Sequence, residues 1–259
     1  QTFQLPVTVS SSGGSSSGGS SSGGSSGSSS TAKIAAPTVL QPTHPGDIVG
    51  VHIDNTGEPA QASRVITFGQ SFADGDLPAG SHLVALVNGH EIPLQIDVKT
   101  TNADGSVAFG IVSLKLPDVP AGAGLDVMLA KSTAAAASQA AVNVGNILSH
   151  GYNLSLDVNV HNADGSVTAH TVSAADALAQ ALAQGNLQTW MSGSLATEVR
   201  VDVKVTDQLT AQFDIRAQAD GQVHTDVTMA HDNTFTTGNQ NITYDLAIKS
   251  GGQTLFSDA

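Results

Sequence analysis

Apolar residues recur at every second position through much of this chain. Phe3, Leu5, Val7 and Val9 do so at the start, and Ile92, Leu94, Ile96 and Val98 near the middle. Val199, Val201, Val203 and Val205 repeat the pattern, with Arg200, Asp202 and Lys204 between them. A period of two places one set of side chains on each face of an extended strand. The same reading predicts strands at Ile48–Ile53, Arg64–Phe68, His82–Val87, Glu91–Thr100, Val107–Leu116 and Leu125–Leu129. Further strands are predicted at Glu198–Val205, Thr210–Ala217, Gln222–Ala230 and Ile242–Ile248. Turn chemistry separates them: Asn55-Thr56-Gly57, Asp74-Gly75-Asp76, Pro78-Ala79-Gly80, Asn88-Gly89, Asp220-Gly221 and Ser250-Gly251-Gly252. One helix is expected over 174–184. Ser173 caps it with Asp176 three residues on, and Gly185 stops it.

These elements divide the chain. Residues 1–9 read as a β segment, with Pro6 demanding an edge or a bulge. Residues 10–30 hold 14 Ser and 7 Gly, a flexible linker spanning roughly 25 Å by random-coil scaling. Residues 31–131 read as a small β barrel or sandwich, and 132–145 as an Ala-rich connector. Residues 146–259 read as an antiparallel β domain carrying the helix, a meander with one apolar and one polar face. The protein is therefore expected to be mostly β.

One motif recurs. Asn-Ala-Asp-Gly-Ser-Val stands at 102–107 and again at 162–167. Two similar hairpin turns account for it. The alternative is a repeated Ca²⁺-binding loop, although it lacks the carboxylate density of an EF-hand. No other cofactor is expected.

Composition narrows the partners. The chain has 22 acidic and 9 basic residues, for a formal net charge of −13. Only Glu58, Glu91 and Glu198 among the acids are Glu, and a predominance of Asp suits turns rather than helices. The bases are scattered singly, so nucleic acid, which is held by clustered Lys and Arg, is not expected as a partner. There is no Cys, which removes disulfides, thiolate metal sites and Cys nucleophiles. No apolar run reaches the length of a membrane span. No signal-like segment is read in residues 1–9, and a start at Gln rather than Met reads as a chain processed or excised, or as one whose start was not recorded.

From Arg64 onward the chain resembles a known family. Phe68-Gly69, Gly75-Asp76-Leu77-Pro78-Ala79-Gly80, Ile92-Pro93-Leu94-Gln95-Ile96-Asp97-Val98 and Asp104-Gly105-Ser106-Val107 are similar to the N-terminal RIFT-type β barrel of exo-rhamnogalacturonan lyase-like proteins. Ser192 to Val201 and Phe213-Asp214-Ile215-Arg216-Ala217 resemble the β-sandwich that follows it. The likeness covers about residues 60–259. It implies a barrel followed by a sandwich, in a carbohydrate- or phage-associated setting. The chain departs from the family pattern at Asn102 and Ala108-Phe109. The family's catalysis is attributed to a downstream helical toroid outside these residues, so the likeness carries over no catalytic residue.

Chemistry-bearing patterns are sparse. No Gly-x-Ser-x-Gly elbow, His-Glu-x-x-His helix or phosphate loop occurs. His224 and His231 with Asp226 and Asp232 form the best metal candidate, but strand or turn roles account for them, and no metal site is assigned. Trp190, Tyr152 and Tyr244 are candidate carbohydrate contacts, with Trp190 reading first as a core plug. The expectation is a non-enzymatic structural module of an extracellular filament or phage virion fibre. It would lie outside the cell or on the virion surface, and Phe3, Leu5, Val7 and Val9 would assemble it with copies of itself or other subunits. The alternative is a carbohydrate-binding or host-attachment module with glycan partners.

Overall fold

The computed structural model describes residues 7–9, 40–55, 59–134, 139–232 and 242–258. They form a mostly β protein with every strand pair antiparallel. Ahead of the body stands β1 (Val7–Val9). The first body comprises β2 (Asp47–Asp54), β3 (Val65–Ser71), β4 (His82–Val87), β5 (His90–Ile92), β6 (Leu94–Thr101), β7 (Val107–Lys115) and β8 (Gly124–Ser132). Its two sheets run β2-β8-β4-β5 and β3-β7-β6. Between them lie Phe72, Leu77, Leu83, Val112, Leu114, Val127 and Leu129, all buried.

The second body follows with α1 (Asn146–Ser149), β9 (Ser155–His161), β10 (Val167–Ser173), α2 (Ala174–Gln184) and β11 (Gln188–Ser192). Then come β12 (Ala196–Thr206), β13 (Leu209–Gln218), β14 (Val223–His231), β15 (Thr243–Ser250) and β16 (Gln253–Asp258). Its sheets run β1-β14-β13-β12-β11 and β10-β9-β15-β16. Phe213, Ile215, Leu156, Leu178 and Ile248 anchor a separate core that shares no residue with the first.

Local chemistry explains where these elements start and stop. Asn88 and Gly89 both take positive φ, 51° and 79°, which is the two-residue hairpin turn between β4 and β5. The helix α2 occupies the expected 174–184, with Ser173 Oγ accepting the Asp176 N–H at 3.1 Å. The repeated motif builds two matching hairpin turns, β6–β7 and β9–β10. In each, the Asp carboxylate accepts from the Ser N–H at 2.9 Å and from the Ser hydroxyl at 2.6 Å. Those bonds hold Asp104 and Asp164 below the ordinary carboxylate pKa.

Two expectations change. The strand predicted over Glu91–Thr100 is two strands, broken at Pro93. Proline has no N–H to donate to a ladder. Here the chain leaves β4's sheet and joins β7's. The second body is also not one meander. Strands β11 to β14 form a meander, and β9, β10, β15 and β16 cover its apolar face as a second sheet. Strand β16, which alternation did not predict, pairs with β15 across the Gly251-Gly252 turn.

Candidate strand-acceptor edge

Strand β14 is the last body strand of its sheet. Its inner face carries Val223, Thr225, Val227 and Met229, all buried. The ladder aligns these residues into rows across three strands. Thr197–Ala217–Val223, Val199–Ile215–Thr225, Val201–Phe213–Val227 and Val203–Ala211–Met229 each face the core. The outer face is charged. Glu198–Arg216–His224 and Arg200–Asp214–Asp226 form the alternating rows. Arg200 donates to both carboxylate oxygens of Asp214, at 2.8 and 2.7 Å. Arg216 donates to Glu198 at 2.5 Å.

Strand β1 lies on the free edge of β14. Val7 pairs with Thr225, Thr8 with His224 and Val9 with Val223. Of the expected assembly residues, Val7 and Val9 are the two this register places, opposite Thr225 and Val223. Phe3 and Leu5 lie outside the described residues, as does the 10–30 segment. Beyond β1, the β14 edge continues from Asp226 to His231.

Polar groups support this seat. Thr225 is the one hydroxyl on the inner face of β14, and Tyr152 lies beneath it. The two hydroxyls are 3.1 Å apart, so the buried Thr225 oxygen is satisfied within the core. Tyr152 is itself buried, which pushes its phenol well above its ordinary pKa. Its ring faces are thus closed to a sugar. On the outer face, His224 Nε2 and Asp226 Oδ1 are 3.1 Å apart. That hydrogen bond, with the charges of His224 and Arg216, lowers the Asp226 pKa. A lowered folded-state pKa supplies stability above the ordinary value of 3.8, lost as pH falls through the folded value. Asp226→Asn is accordingly expected to weaken the acid-side loss of stability, read from urea midpoints at neutral and acidic pH. An unchanged acid dependence would contradict this.

Grooves flank the edge at both ends. One, of about 550 Å³, lies where Val9 meets Val223 and is lined by Val142, Ile147, Tyr152, Ala217 and Val223. The other, of about 370 Å³, lies at the far end. It runs from Leu209 and Met229 to Tyr244, Leu246 and Phe256, between the two sheets.

The join between the two bodies is built mainly from one strand, with the Val65 N–H of β3 also donating to Asp220 at 2.7 Å. On β6, Gln95, Asp97 and Lys99 all face the second body. The Gln95 carbonyl accepts the N–H groups of Leu195 and Ala196, each at 2.9 Å. Its amide donates to the Ala196 carbonyl at 2.9 Å and to Asp97 at 2.6 Å. Asp97 also accepts the Ser192 N–H at 3.0 Å. Gly193 lies flat against this amide, and a Cβ there would stand 2.2 Å from the Gln95 carboxamide carbon. Lys99 donates to the Trp190 carbonyl, with its ammonium 4.2 Å from the centre of the Trp190 ring. At Trp190 the β11–β12 register shifts, and this bulge turns the ring out of the core. It is 53% exposed. Tyr244 is half-buried.

No group of three or more His, Asp or Glu positioned to hold a metal occurs among the described residues. His224 and Asp226 pair with each other, and Asp232 accepts from Lys204 and Thr210 at the far end of the strand. No helix is long and apolar enough to cross a membrane, among the described residues. Fold and site define an antiparallel β protein of two cores with a short strand laid on one sheet edge. No family model, curated protein or solved structure matches the chain.

Proposed function

We propose that this protein is a non-enzymatic structural module that assembles by strand addition, as a subunit of an extracellular filament or virion fibre. One observation supports the reading. Val7–Val9 adds to the free edge of β14, yet a 21-residue Ser/Gly run separates it in sequence from the body. A tether of that length and composition leaves the strand able to reach the same edge of a neighbouring copy. Strand addition takes its affinity from backbone hydrogen bonds and its specificity from alternate side chains, so neither an active site nor a basic patch is needed.

The carbohydrate reading has weaker support. Of its three aromatic candidates, only Trp190 presents a largely exposed ring, and Lys99 lies over it. The likeness to a RIFT-type barrel belongs to the same proposal and supplies no chemistry of its own.

Light scattering across a concentration series tests the assembly reading. The full chain is expected to form larger species as concentration rises. A chain with Val7→Asp and Val9→Asp is expected to stay monomeric while keeping its β circular dichroism. A monodisperse monomer in both cases would overturn the proposal.

A further inference from the structure

We propose that Asn88-Gly89 is a self-modifying step, at which the chain converts its own asparagine to aspartate and isoaspartate and so loosens β5. The step lies in the first body and does not depend on the assembly reading.

The chain holds five steps of the kind that closes most readily to a succinimide, an Asp or Asn followed by an unhindered glycine nitrogen. Four are Asp-Gly, at 74–75, 104–105, 164–165 and 220–221, and one is Asn-Gly, at 88–89. To react, the glycine nitrogen must give up its proton and turn onto the preceding side-chain carbon. An N–H already donated to an acceptor is held away from that path.

The fold holds the four Asp-Gly nitrogens. Gly75 donates to Ser106 Oγ at 3.1 Å. Gly105 donates to the Asn102 carbonyl, Gly165 to that of Asn162 and Gly221 to that of Gln218, each at 3.0 Å. Three of the carboxylates are held as well. Asp104 and Asp164 accept from the serines of their turns, and Asp220 accepts the N–H groups of Val65 and Gln222 at 2.7 and 3.1 Å.

Asn88-Gly89 differs on both counts. Val87 and His90 form the ladder pair that closes this turn. Among the described residues, no hydrogen bond uses the Gly89 N–H or the Asn88 carboxamide. Both residues are exposed, and a Cβ on Gly89 would meet nothing within 4 Å, so a ring has room to close.

The chemistry needs only water. Gly89 N attacks Asn88 Cγ, and the new N–Cγ bond closes a cyclic imide. The Cγ–Nδ2 bond breaks, and ammonia leaves with the proton from Gly89 N. Water then opens the imide. Addition at Cγ gives aspartate, and addition at the backbone carbonyl gives isoaspartate. Either product adds a negative charge, and isoaspartate also inserts a backbone carbon into the turn. That turn is set by the positive φ of its two residues, 51° and 79°. Strand β5 has only three ladder pairs with β4, so a lengthened turn works against a short ladder. Its Ile92 packs on the first core.

Peptide mapping by mass spectrometry tests the site, with the full chain held either folded or in urea at the same mildly alkaline pH. In the folded chain, Asn88 is expected to convert within about threefold of its rate in urea, because no opening of the fold is needed. The four Asp-Gly steps are expected to isomerise at least about tenfold more slowly folded than in urea, because they wait for local opening. Protection of Asn88 by as much as the Asp-Gly steps would overturn the site. Asp-Gly steps as fast in the folded chain as in urea would overturn the selective holding. Hydrogen exchange reads the consequence: amides of His90 to Ile92 are expected to exchange faster in the aged chain than in the fresh one, with those of β12 to β14 unchanged. Equal exchange at β5 in fresh and aged chains would overturn its loosening.

Discussion

Gln95→Ala is expected to lower stability by about 2–4 kcal/mol, since it leaves the N–H groups of Leu195 and Ala196 without their buried acceptor. The Gln95 side chain is buried, and its carboxamide meets Leu195, Ala196 and Asp97 at 2.6 to 2.9 Å. Alanine removes all of these contacts. Trp190, the only Trp, reports on the same join through its carbonyl and ring contacts with Lys99. Its emission is expected to shift in the variant. Gly193→Ala should also destabilise the wild type, because the new methyl would overlap the Gln95 amide. In the Gln95→Ala background that overlap disappears, so the two effects should fall well short of adding. Additive losses in urea titrations, or an unchanged Trp190 emission, would count against this account of the join.

Phe213→Ala is expected to remove about 3–5 kcal/mol from the second body, the usual range for an aromatic lost from a packed core. Phe213 is fully buried and sits in the row between Val201 and Val227. It is the largest of the fully buried side chains among the described residues. Because the two cores share no residue, hydrogen exchange should show the loss unevenly. Amides of β12, β13 and β14 should lose more protection than those of β4, β7 and β8. An equal loss in both bodies would mean that the join transmits stability fully. The same row carries the strand seat, so the variant should also weaken assembly.

Much of the architecture was legible along the chain. The helix at 174–184 was legible because its signals are local: a Ser cap, good helix formers and a Gly stop. The strand Ala196–Thr206 was legible because Val199 to Val205 alternate with charged residues. The paired Asn-Ala-Asp-Gly-Ser-Val turns were legible because each closes on its own side chains within five residues. Pro93 was visible too, but its effect depended on a second sheet waiting to receive β6.

The join was not legible. Gln95, Asp97 and Lys99 alternate with Leu94, Ile96 and Val98, the ordinary pattern of a strand with one wet face. Only the second body, about a hundred residues later in the chain, makes that face an interface. Trp190 misled for a related reason. A single Trp in an aromatic-poor chain reads as core, but a register shift in β11 turned it outward. Tyr152 gave no local sign that its hydroxyl would serve a Thr on a distant strand.

The sequence by itself determined the strand class, the turns, the helix and the alternation of residues 3–9, because each depends on neighbours a few positions away. Only the tertiary structure decided which edge receives Val7–Val9 and which polar face is buried. Those outcomes depend on pairings between residues far apart in the chain, and periodicity within one strand says nothing about its partner.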